Sequence, residues 1–214
     1  MPFVQRRSRT VSRSTFTPLA RVTVRFHTET KEFATFLIGN LTDAIEPENT
    51  VEFSVVEFAT QAVITSGLTD DVAAKAAVSG ISYTGGWTNT EQAIRNCTET
   101  LKDSTADEKS IVLLTDGAPT TFGEFATDRA PGCDANGGPK DSPCREAAVT
   151  AADEAKALGI NIATVLVSTV STDGDFLEKN ISSPDLYFPA TNFSLLDPLV
   201  EIIVEEINPC EVKP

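Results

Sequence analysis

The chain is short of histidine, of positive charge and of long apolar runs, and each shortage removes a class of function. A single His (His27) in 214 residues leaves any Ser-His-Asp or Cys-His mechanism dependent on that one side chain, and rules out a zinc pair of the HxxxH type. No stretch approaches the ~18 consecutive apolar residues of a membrane-spanning helix. Only 17 Lys and Arg stand against 31 Asp and Glu, and a net charge of −14 is repelled by nucleic-acid phosphates. Neither GxxxxGK[ST] nor a strand-linked GxGxxG occurs, so nucleotide binding has no support. The four Cys (Cys97, Cys133, Cys144, Cys210) include no CxxC, which excludes a zinc ribbon or a thioredoxin-type motif. What remains, with 41% apolar residues and 12 Phe, is enough for the core of one acidic domain.

Charge is unevenly spread. Residues 1–28 carry six Arg (Arg6, Arg7, Arg9, Arg13, Arg21, Arg25) and no acid, so the local +6 leaves −20 for residues 29–214. An Arg- and Ser-rich, acid-free start reads as an organelle transit peptide, a solvated arm or a non-native beginning. It lacks the apolar run of about 7–15 residues that a secretory signal needs. The expected division is an arm or non-native start at 1–28, a folded domain at 29–208 and a tail at 209–214. Cys133 and Cys144 bracket a Gly-, Asp- and Pro-rich stretch too polar to hold itself by packing, and a disulfide between them would staple it. Cys210 has Cys97 or a Cys outside the sequence as its candidate partner. Four N-x-S/T triplets begin at Asn40, Asn96, Asn180 and Asn192. With the cysteines they favour an extracellular or luminal setting; an organelle is the alternative if 1–28 is a transit peptide.

From Thr30 onward the apolar pattern switches between periods of 3.6 and 2. Phe33, Phe36, Leu37, Leu41 and Ile45 mark a helix over 29–45, followed by a strand at 51–58 with a short partner at 62–65. Thr69 reads as the cap of a helix with Asp70 and Asp71 in its first turn, which Gly80 closes, and another helix spans 90–102. The unalternating runs 110–115 and 160–167 suit parallel strands buried on both faces. A helix at 144–158, ended by Gly159, lies between them. A short helix at 176–180, a strand at 186–188 and a last helix at 194–207 complete the order. The acidic face Glu201, Glu205, Glu206 of that last helix reads as solvated. Strands alternating with helices predict an α/β fold: a doubly wound, mostly parallel sheet flanked by helices. Ligands of such sheets bind outside the carboxyl ends of the strands, which directs attention to Asp116 and to 85–90.

Asp116 directly follows a buried strand, and Thr88, Asn89 and Thr90 follow two glycines at the mouth of a helix. Taken singly, Asp116-Gly117 is a common turn pair and the Thr-Asn-Thr run a helix cap. Together, a hydroxyl and a carboxylate at one end of one sheet suit a hard divalent cation. The segments Tyr83-Thr-Gly-Gly-Trp-Thr88-Asn-Thr90-Glu-Gln-Ala-Ile94 and Ile111-Val-Leu-Leu-Thr-Asp116-Gly117 resemble the von Willebrand factor type A domain, as in the inserted domains of integrins. The resemblance covers most of residues 30–207. It implies a metal-ion-dependent adhesion site holding Mg²⁺ or Mn²⁺, with Thr88 giving the hydroxyl of the second metal loop and Asp116 the carboxylate of the third. It also implies a partner protein that completes the coordination through an acidic side chain.

The family's first metal loop, D-x-S-x-S behind an apolar strand, has no counterpart. Thr10-Val-Ser12-Arg-Ser14 keeps two serines but has Thr in place of the Asp, and Phe26-His-Thr28-Glu-Thr30 again lacks it. The best substitute for the missing strand is 19–26, which alternates and would bury Arg21 and Arg25 if placed centrally, hence an atypical first strand. Metal binding by this chain is therefore expected to be weak or absent. The leading reading is a noncatalytic protein-binding or adhesion module with a degenerate metal site; the alternative is a metal-free scaffolding copy. A Mg²⁺-dependent phosphohydrolase of the haloacid dehalogenase type would need a nucleophilic Asp two residues before Asp116, where Leu114 stands. Asp173-Gly-Asp175, near the start of a short helix, suggests another cation site as one alternative, but reads more simply as a capped, solvated helix entry.

Overall fold

The computed structural model describes residues 9–16, 23–45, 49–82, 85–133, 142–168 and 170–207. Six strands form one sheet: β1 (Arg9–Phe16), β2 (Phe53–Phe58), β3 (Ala62–Thr69), β4 (Glu108–Thr115), β5 (Ile160–Val167) and β6 (Tyr187–Ala190). Their order is β3-β2-β1-β4-β5-β6, with β3 antiparallel to β2 and every other neighbouring pair parallel. The chain winds outward from β1 through β2 and β3, then crosses to β4 and winds outward the other way. The switch point between β1 and β4 is where a doubly wound sheet opens its crevice.

Helices cover both faces: α1 (Thr23–Asp43), α2 (Asp71–Gly80), α3 (Thr90–Leu101), α4 (Pro143–Ala157), α5 (Ser171–Phe176) and α6 (Leu196–Ile207). The period of 2 along each strand sorts its side chains between two cores. Val112 and Leu114 of β4 join Ala163 and Val165 of β5 against Phe33, Leu37 and Val200 on one side. Ile111 and Leu113 join Ile162 against Ile94, Leu101 and Ala152 on the other. Being covered twice is why β4 and β5 are apolar without alternation. Each wholly buried Leu, Ile or Phe here contributes about 1.5–3 kcal/mol.

Three expectations change. The first strand is β1 at Arg9–Phe16, not 19–26, and α1 begins at Thr23, inside the segment expected to be a strand. A few alternating residues are compatible with either period, and pairing with β2 and β4 selects the more polar segment. β1 thus lies within the basic segment that the charge break separates from the rest. Asp70, not Thr69, caps α2, its carboxylate accepting from the Ala73 amide, because Thr69 ends β3. The expected helix at 176–180 is α5 running into a single π turn, Leu177–Ile181. Glu201, Glu205 and Glu206 are exposed as expected. The Cys133–Cys144 disulfide is present, and Cys97 is buried in α3. Cys210 and the 209–214 tail lie outside the described residues. Among the described residues no helix is long and apolar enough to cross a membrane.

Candidate functional site

β4 delivers Asp116 to the carboxyl edge of the sheet beside the switch point. The Thr115 hydroxyl fixes the turn, donating to the Gly117 carbonyl at 3.1 Å. Asp116 is 9% exposed, and its Oδ2 is buried with no hydrogen-bond partner. Burial first, and the nearby Asp173 carboxylate second, push its pKa up to about 7, against the lowering effect of its own backbone amide. A buried carboxylate with an orphaned oxygen is the kind of group a cation would satisfy.

Thr88 comes to the same edge by a separate route. Gly85 and Gly86 take φ of 64° and 126°, and a Cβ on Gly86 would stand 2.3 Å from the Thr60 hydroxyl, so the double glycine is a steric requirement. Thr60 Oγ1 accepts the Trp87 amide at 3.0 Å. Asn89 then caps α3 by accepting from the Gln92 amide, while its Nδ2 donates to the carbonyls of Thr60 and Gly123. The Thr88 amide donates to Thr120 Oγ1 at 2.7 Å, and the Thr88 carbonyl accepts from the amides of Thr120 and Thr121. These bonds fasten the loop after Asp116 to the loop carrying Thr88. Farther along that loop, Trp87 Nε1 donates to Asp128, Arg129 lies over the indole at 5.7 Å, and Phe122 and Phe125 stand exposed.

The first-loop substitute is not brought here. Thr10 pairs with Lys109 and Ser12 with Ile111, so Ser12 stands level with a residue five positions before Asp116, about 16 Å short of the edge at ~3.3 Å per residue. Among the described residues no three His, Cys, Asp or Glu side chains form a group that could hold a metal ion. Asp173 is a second carboxylate near Asp116, and it corrects the expectation of a solvated helix entry. It is 2% exposed, and its Oδ1 accepts from Arg145 Nη2 at 3.1 Å. Burial raises its pKa, opposed by the Ala118 amide and by Arg145, which itself stacks on Phe176 at 4.7 Å. That commitment leaves Asp173 unsuited to be the missing ligand. Thr88 and Asp116 alone do not match the ligand set that the resemblance implies.

A family model described as the von Willebrand factor type A domain matches residues 21–202. The chain belongs to this family. No curated protein sequence matches it. Solved structures share the type A fold at low identity. The von Willebrand factor domain of the type V pili tip protein Mfa5 from Porphyromonas gingivalis superposes with a TM-score of 0.73 at 13% identity, over 98% of this chain and 99% of that one. The PilB minor pilin from Streptococcus sanguinis gives 0.70 at 18%, over 97% and 63%. Proximal thread matrix protein 1 from the mussel byssus, in a form whose MIDAS motif holds zinc, gives 0.67 at 18%, over 94% and 46%. The chain thus spans about half the length of the mussel protein.

Proposed function

We propose that this type A domain is a noncatalytic protein-binding module of the adhesion type, working outside the cell or in a secretory lumen, with a degenerate metal site. The observation that carries the reading is Asp116: a buried carboxylate with an unpartnered oxygen at the switch point of the sheet, followed by a loop that is hydrogen-bonded to Thr88 through Thr120 and Thr121 and exposes Phe122 and Phe125. Its fold neighbours include pilins and a byssus matrix protein, and the disulfide suits an oxidising compartment. Thr88 and Asp116 would hold a hydrated Mg²⁺ or Mn²⁺ weakly, and an acidic side chain of the partner would complete its shell. Leu114, in the position a phosphohydrolase nucleophile would take, is a buried residue of β4, which speaks against that type of hydrolysis.

The metal-free scaffolding copy is the second reading, favoured by the depth of Thr10 and Ser12 within β1. Binding to an immobilised Glu- and Asp-containing peptide array, in Mg²⁺ or Mn²⁺ and then in chelator, separates the two. Binding that needs the ion and disappears in Asp116→Ala supports the metal-assisted module. Chelator-insensitive binding lost in Phe125→Ser supports a metal-free contact, and no binding in either buffer sinks the adhesion reading. Melting supplies a second readout: an ion at a concentration equal to its dissociation constant adds only about 0.4 kcal/mol. The shift expected in about 1 mM Mg²⁺ is therefore on the order of 1 °C.

A further inference from the structure

The four N-x-S/T triplets look alike in the sequence, but the fold presents them differently. Three are bound up in helices. Asn40 in α1 donates its side-chain amide to the Phe36 carbonyl at 2.9 Å, and the Thr42 hydroxyl turns back to Ile38. Asn96 in α3 donates to the Ala62 carbonyl at 2.9 Å and accepts from Gln92, while Thr98 bonds Ile94. Asn180, in the π turn, is exposed but donates to the Phe176 carbonyl at 3.0 Å, and the Ser182 hydroxyl is buried without a partner. In none of these three, among the described residues, does the hydroxyl bond the Asn two residues before it.

Asn192 is the exception. It follows β6 with an extended backbone, φ −162° and ψ 169°, and both it and Ser194 are exposed. Its Oδ1 accepts from the Ser194 amide at 3.0 Å and also from the Ser194 hydroxyl. The intervening Phe193 packs against the core, leaving Asn192 and Ser194 outside on either side of that anchor. Its Nδ2 has only a long contact, 3.4 Å, to the Thr191 hydroxyl. An acceptor Asn has to present its side-chain nitrogen to solvent on an exposed, non-helical stretch, and the product is a bulky group that only surface accepts; Asn192 meets both conditions.

We infer that Asn192 is an N-glycosylation site, its side-chain nitrogen receiving a saccharide from a lipid-linked saccharyl diphosphate through a secretory-pathway transferase. The Nδ2–C1 bond forms as the C1–O bond to the diphosphate breaks. The diphosphate leaves with that electron pair, the nitrogen loses one proton, and the Ser194 hydroxyl is not consumed. The inference rests on the secretory setting proposed above. Because β4, β5 and β6 run parallel, Asn192 lies at the same end of the sheet as Asp116, two strands away, about 10 Å at ~4.8 Å per strand. The glycan would flank the rim on the β6 side and leave open the side bearing Phe122 and Phe125.

The test expresses the whole chain behind a cleavable secretion signal in a eukaryotic host, with a reporter N-x-T triplet in the tag. Total and secreted protein are mapped by peptide mass spectrometry before and after enzymatic glycan release, which converts a modified Asn to Asp. Conversion at Asn192 in most molecules is expected, with one mass step lost in Asn192→Gln and in Ser194→Ala and retained in Ser194→Thr. A bare Asn192 beside a modified reporter overturns the inference, as does a mass step that Asn192→Gln leaves unchanged. Binding of the acidic peptide array by bacterially made protein, which carries no glycan, tests the adhesion reading separately.

Discussion

Burial holds Asp116 protonated to a pKa of about 7, against 3.8 for an ordinary Asp, so the folded chain retains a proton that the unfolded chain has lost. The contribution of Asp116 to stability is therefore fully present below about pH 4, falls as pH rises from 4 to 7, and is lost above that. The shift corresponds to about 4 kcal/mol. Asp116→Asn should remove this slope in chelator, matching the wild type near pH 4 and exceeding it at pH 8 in denaturant titrations. Equal slopes in both proteins would mean that Asp116 titrates normally. Asp173 and Arg145 form a pair with side chains only 3% and 4% exposed. Asp173→Ala strands a buried guanidinium and should cost about 3–5 kcal/mol, whereas Asp173→Leu with Arg145→Met should come close to neutral. A double replacement as harmful as the single one would show that packing, not charge, decides the site.

Among elements, the Cys133–Cys144 bridge closes a loop with a sequence separation of 11 just ahead of Arg145. Constraining so short a loop contributes about 3 kcal/mol in the chain-entropy view, so reduction should lower the melting temperature by on the order of 10 °C. A melt unchanged by reductant would mean that the unfolded loop is already compact. This bridge was legible because turn residues fill the interval between its cysteines. β4 and β5 were legible because burial on both faces writes itself as an unbroken apolar run. β1 was not, for of its eight residues only Val11 and Phe16 are apolar, and it is a strand through its partners β2 and β4 rather than through its own sequence. Thr88 and Asp116 could be read from local patterns, each following a loop or strand signal. The Asp173–Arg145 pair could not, because its members lie 28 residues apart on different helices, and polarity alone suggested solvent.

Over the whole molecule, a net charge of −14 makes the compact state repel itself. Raising NaCl from ~10 mM to ~100 mM shortens the screening length from about 30 Å to about 10 Å. The melting temperature should rise by a few degrees without any specific ion. Mg²⁺ has to be compared with NaCl of matched ionic strength, since a divalent cation relieves the same repulsion. A flat salt response would mean that the acidic surface is already neutralised by its arrangement. The disulfide also governs how the chain behaves once cut. A peptide bond broken anywhere between Cys133 and Cys144 leaves two fragments still tied by sulfur, one bearing β1 to β4 and the other β5, β6 and the last three helices. Such a nicked molecule would keep its mass, within one water, on a non-reducing gel and separate into two bands only when thiol is added.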